Sequence, residues 1–174
     1  MVQDDVLLIR QVDGMSPLVS HLFKMMNYIR LVTLDSVRGL SVGQLDHLHD
    51  EKSNSIGALL SHIAAVEYDF QALSFENRTL TEAEERELLP ALDLGELGRE
   101  KIRGNPLEFY IERLHAVRRK TVEGLRMRDD NWLLHETQMW GRPTNHYFMW
   151  FHCFEDEANH RGQINWLRKR LPAI

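Results

Sequence analysis

The sequence predicts an all-α protein, and three observations carry that prediction. Apolar residues recur at helical spacing through most of the chain. No stretch alternates apolar and polar residues in the manner of a strand. Prolines also stand where helices would open or close, at Pro17, Pro90, Pro106, Pro143 and Pro172. The length of 174 residues fits one domain spanning residues 1–174, large enough to bury about 70% of its unfolded surface.

The first helix is expected from Ser16 to about Arg38, with Pro17 at its first position, where a missing N–H costs nothing. Leu18, Leu22, Met25, Met26, Ile29 and Val32 form its apolar stripe. The polar segment from Ser41 to Asn54 reads as a connection with one turn of helix at most. A second helix runs from about Ser55 to Ser74 behind serine N-caps, with Leu59, Ile63, Val66 and Phe70 in its apolar set. Thr81 and Glu84 form a capping-box pattern, so a short acidic helix is expected from Thr81 to Leu89, ending at Pro90. A third long helix runs from Pro106 to about Met127, and its Arg118-Arg119-Lys120 run reads as a solvated face. Residues 128–142 read as a loop carrying Trp132 and Trp140. Pro143 then opens a fourth helix reaching about Arg170, roughly 40 Å long at ~1.5 Å per residue. Four long amphipathic helices most economically form a four-helix bundle.

Composition narrows the function. Hydrophobic residues at 43% and charged ones at 27% are ordinary for a globular protein. The single cysteine, Cys153, rules out an internal disulfide framework and suits a reducing cytoplasm. Apolar runs are too short to cross a bilayer, and Asp4 and Asp5 make the start acidic where an export signal is basic. The formal charge of −5 argues against nucleic acid as a partner. Nine histidines are many for this length, and imidazole is the commonest metal ligand.

The most informative segment is Trp150–Ile164. At about 100° per residue, His152 and His160 lie within roughly 40° of Asp156, on a strip that also carries Cys153 and Gln163. Glu155, Glu157 and Arg161 fall toward the flanks or the far side. A polar strip inside an apolar pattern tends to mark function. On the second helix, His62 shares a strip with Leu59, Val66, Asp69 and Leu73 and points into the bundle. Buried carboxylates and imidazoles need partners. A divalent cation serves His62, Asp156 and His160 together, with His152 as a fourth ligand or, like Asp69, a group that orients a ligand from behind. Imidazole with carboxylate suits zinc, nickel or ferrous iron, and three ligands leave positions open for substrate. The other reading is an Asp–His hydrogen bond along a helix face, with His152 simply packed in the core. Gly162, inside a helix, points to a neighbouring helix in close approach.

Ser55–Phe70, with Ser-Ile-Gly-Ala-Leu-Leu-Ser-His62, resembles the second-helix motif of the DinB-like superfamily. His152–Leu167, with Glu155-Asp156 and His160-Arg161-Gly162-Gln163, resembles its fourth-helix motif, and Leu45-Asp46 adds to the outline. The resemblance implies an up-up-down-down four-helix bundle of the DinB/YfiT kind, often a homodimer. It also implies a divalent metal held by one second-helix histidine, here His62, and by two fourth-helix residues one turn apart, here Asp156 and His160. The middle ligand is commonly histidine in that superfamily, so Asp156 marks a departure. Relatives that the resemblance brings in include transferases that add low-molecular-weight thiols such as bacillithiol or mycothiol to electrophiles, and a mycothiol-dependent isomerase.

Two functions follow. One is a metal-dependent thiol transferase, or a hydrolase on the same ligands. The other is a non-catalytic, stress-related dimeric bundle with a vestigial metal site. The fourth helix begins with Tyr147, Trp150, Phe151 and Phe154, apolar nearly all round, which suits a dimer interface in either case or, equally, an ordinary core stripe.

Overall fold

A computed structural model describes residues 6–172, so Asp4 and Asp5 lie outside the described residues. Its elements are α1 (Pro17–Ser36), α2 (Val42–Leu45), α3 (Ile56–Phe75), α4 (Glu82–Asp93), α5 (Gly95–Lys101), α6 (Leu107–Arg126), α7 (Asp130–Leu134), β1 (Glu136–Met139), β2 (Arg142–Asn145) and α8 (His146–Arg168). The all-α bundle expected from the sequence is the architecture found, built from α1, α3, α6 and α8. The extensive helix pairs are α3 with α6, α1 with α8 and α3 with α8.

Contacts set the helix directions. Gly57 meets Tyr110 and Phe75 meets Gly124, so α3 and α6 are parallel. Arg30 reaches Glu157 and Arg168 reaches Ser36, so α1 and α8 are parallel. His62 faces Asp156 while Phe70 faces Trp150, so α3 and α8 are antiparallel. The order is therefore up-down-down-up, where the resemblance implied up-up-down-down. The connections explain it: α1 turns back into α3 through the short α2, whereas the long segment 76–106, carrying α4 and α5, returns the chain to the starting level before α6.

Local chemistry sets the boundaries. Ser55 accepts from the Ala58 amide at 3.1 Å to cap α3, and Thr81 with Glu84 forms the predicted capping box of α4. Asp130 caps α1 from a distance, accepting from the Leu18 amide at 2.9 Å, a negative charge at a helix N-terminus. Helix α4 runs through Pro90 to Asp93 instead of ending at Leu89. Proline removes one backbone donor, and Arg86, whose carbonyl would have accepted from it, is an exposed residue. Residues 136–145 form an antiparallel hairpin where a loop was expected. Trp140 and Gly141 turn it with φ of 54° and 71°, the conformation two-residue hairpins require. Pro143 lies in β2, and Asn145 caps α8 by accepting from the Phe148 amide at 2.8 Å. A strand edge tolerates proline, and asparagine is the better cap.

The interior is layered. One apolar cluster gathers Leu22, Met26, Phe70, Leu125, Trp150 and Phe154. A second, at the opposite end, gathers Leu45, Ile56, Leu60, Tyr110, Leu114 and Ile164. Between them lies a buried ionic layer of Arg30, Glu67, Arg118 and Glu157, one residue from each long helix. Arg30 contacts Glu157 at 2.8 Å, Glu67 at 2.7 Å and the Leu114 carbonyl at 2.8 Å. Arg118 contacts Glu67 at 2.7 Å, Glu157 at 3.3 Å and the Met26 carbonyl at 3.0 Å. Thr121 donates to Glu67 at 2.6 Å. Burial pushes the Glu67 pKa up, but Arg118 and Arg30 outweigh it and hold it down to about 2. Arg118 is thus buried rather than solvated, and Glu157 lies inside rather than toward the flanks.

Candidate metal centre

The site lies between α3 and α8, beside the ionic layer. Regular helix geometry puts Asp156 and His160 one turn apart on α8, and antiparallel packing brings His62 of α3 opposite them. One potential ligand atom from each of the three lies within 4.8 Å of the others. The imidazoles of His62 and His160 stand edge to face with centroids 4.6 Å apart. All three side chains are largely buried, at 12%, 20% and 10% exposure for His62, Asp156 and His160.

The rings are oriented from behind. His62 Nδ1 donates to the Ala91 carbonyl of α4 at 2.8 Å, which leaves its Nε2 as a lone pair facing Asp156. His160 Nδ1 pairs with Gln163 Oε1 at 3.2 Å, which turns its Nε2 toward Asp156 Oδ1 at 3.3 Å. Such support fixes tautomer and direction in metal-binding histidines. Asp156 Oδ2 stands 3.6 Å from His62 Nε2 and is buried without a hydrogen-bond partner. Asp46 Oδ1 shares that condition among the described residues, and each carboxylate has its other oxygen engaged, Asp46 by the Gly104 amide at 2.8 Å; what sets Asp156 apart is the pair of imidazoles that face it. A desolvated carboxylate oxygen facing an imidazole lone pair is unfavourable alone and favourable around a cation.

Charge distribution follows. Burial and the neighbouring His160 lower the His62 pKa, which favours the neutral ligand form. Burial also disfavours charge on His160, but its hydrogen bond to Asp156 and that carboxylate's charge prevail and raise its pKa. Asp156, pushed up by burial, is drawn below the usual carboxylate range by His160 and His62.

The triad is therefore the set of residues brought together, and neither His152 nor Asp69 joins it. His152 sits a turn before Asp156, its Nδ1 3.3 Å from Glu155 and its ring edge to face with Trp140 at 5.0 Å. Asp69 lies two turns along α3, its pKa raised by burial and by nearby Glu85. Cys153 is a buried thiol whose pKa burial pushes well up, unsuited to attack. Gly162 has no helix against it; an added Cβ there would meet nothing within 4 Å. The Ala91 carbonyl is a supporting group that the sequence pattern does not reveal, because that pattern ends α4 at Pro90. The family model described as mycothiol-S-transferase matches residues 21–173, so the chain belongs to that family. No curated protein matches the chain.

Proposed function

We propose that this member of the mycothiol-S-transferase family is a divalent-metal-dependent transferase, acting as one bundle domain, that joins a low-molecular-weight thiol to an electrophilic carbon. The observation that carries the reading is Asp156 Oδ2, buried without a hydrogen-bond partner and 3.6 Å from His62 Nε2. Two imidazole nitrogens and a carboxylate oxygen suit zinc, nickel or ferrous iron and leave positions open for a substrate. A cation held there supplies the positive charge that lowers a thiol's pKa toward neutrality.

The chain's own residues do the rest. The Ala91 carbonyl and Gln163 hold the two rings in position, and Asp156 would offset one of the cation's two charges, leaving the other for the thiol sulfur. The thiol proton leaves to water, the sulfur forms a bond to carbon, and the leaving group departs with the bonding pair. The family's description favours mycothiol over bacillithiol as the thiol. A reduced thiol as substrate suits the cytoplasm, and among the described residues no helix is long and apolar enough to cross a membrane. Exposed Trp140, Phe148 and Phe151 around the hairpin and the start of α8 are the surface we assign to a homodimer.

The test is elemental mass spectrometry of untagged protein prepared without chelators, beside the His62→Ala, His160→Ala double variant. Roughly one ion per chain, lost in the variant, together with consumption of mycothiol in the presence of an electrophile, is the expected result. Wild type that stays empty after incubation with zinc, nickel and ferrous iron would return the protein to the non-catalytic bundle reading.

A further inference from the structure

Helix α4 supports one group and walls a cavity. Its Ala91 carbonyl supports His62 on the α8 side of α3. On the α6 side, Leu88, Pro90 and Ala91 itself help wall a cavity of about 420 Å³, within the usual size for a small-molecule site. Its remaining walls include Ala64, Tyr68, Ile102 and Phe109. Three cations stand around it, Lys101, Arg113 and Lys120, against the single acid Glu87.

The cations are held over the walls. The Arg113 guanidinium lies 5.0 Å above the Phe109 ring and the Lys120 ammonium 5.9 Å from the Tyr68 ring centre. Aromatic faces fix such groups without neutralising them. Glu87 approaches Arg113 only at 3.8 Å, and both are strongly exposed, the weak kind of surface pair that an incoming carboxylate displaces. Lys101 already has Glu100 at 2.7 Å. Arg113 and Lys120 therefore remain as charge at the mouth of an apolar, aromatic cavity.

We propose that this α3–α4–α6 cavity binds an amphipathic organic anion, a carboxylate or sulfonate whose aliphatic or aromatic body lies against Tyr68, Phe109 and Ile102 and whose charged head meets Arg113 and Lys120. An arginine fork fits a carboxylate in two-point contact, and the apolar body gains by leaving water. The proposal needs no metal and stands or falls separately from the function above.

Isothermal titration of the full chain with octanoate and with octanamide tests it, since the two differ in charge and share a body. Octanoate should bind wild type at least about tenfold more tightly, a difference of roughly 1.4 kcal/mol. The surface double variant Arg113→Gln, Lys120→Gln should lose that preference while keeping octanamide affinity. Ala64→Phe, which fills the cavity, should lose both ligands with its helical circular dichroism unchanged. Equal binding of the two ligands to wild type, no binding of either, or full octanoate affinity in the double Gln variant would overturn the proposal.

Discussion

Two groups of charged residues lie side by side on the same helices and have opposite character. Glu157 and Asp156 are sequence neighbours, and Glu67 follows His62 by little more than a turn. Arg30, Glu67, Arg118 and Glu157 form a closed set in which opposite charges meet at bonding distance. In the His62–Asp156–His160 group a carboxylate oxygen is left without a partner. The contrast teaches that burying charge does not by itself mark a functional site. The informative property is incompleteness. A satisfied network supports the fold, whereas an unsatisfied one beside it has capacity to spare for a ligand.

The contrast is most severely tested at Glu67. Glu67→Ala leaves Arg30 and Arg118 to share Glu157 alone, one buried positive charge unmatched, and should cost about 3–5 kcal/mol, read as a lowered urea midpoint. A loss under ~1 kcal/mol would mean that the ionic layer is not the closed set described. The pH dependence comes next. Glu67 has a folded pKa below its ordinary 4.5, so its contribution is complete above that value. It is lost as pH falls toward about 2, because protonation then favours the unfolded chain. Acid titration followed by near-ultraviolet circular dichroism should show that loss between those limits, and a Glu67→Gln variant should not show it.

A smaller change in stability is expected at the open group. His62→Ala with His160→Ala should alter the urea midpoint of metal-free protein by no more than about 1 kcal/mol, while zinc uptake, followed by dialysis and elemental analysis, disappears. A large destabilisation there would erase the distinction between the two groups. The smallest effect is at Gly162, two residues past His160, where a Cβ meets no neighbour. Gly162→Ala should raise the thermal midpoint by the equivalent of about 0.5 kcal/mol and leave zinc stoichiometry unchanged.

Much of this is legible in the sequence, for reasons of period. The four-residue spacing of Asp156 and His160, and the stripe that His62 shares with Leu59 and Val66, put all three on inward strips by helical periodicity, while the facing of α3 and α8 is supplied by packing. The ionic layer obeys the same arithmetic but is obscured by its setting. Arg118 follows Leu114 by four residues and precedes Thr121 by three, yet it stands in a run with Arg119 and Lys120 that looks solvated. Glu157 has the same relation to Cys153 and His160, masked by Glu155 and Asp156. The hairpin is not legible, because four-residue strands are too short to display a period and the Trp140-Gly141 turn lacks the usual asparagine or aspartate signal. Helix directions depend on how far a connection travels, which residue patterns do not encode.

The up-down-down-up path also bears on how fast the protein folds. An ordinary up-and-down bundle zips successive helices together across short turns and is among the faster folds. Here the extensive pairs include α3 with α6, across the whole of segment 76–106, and α1 and α3 with α8, across still longer stretches of chain. Each must close a long loop before its contacts repay the lost chain entropy. Despite its wholly helical frame, this bundle should refold at rates nearer those of mixed α/β domains, with α8 docking after most of the chain has been made.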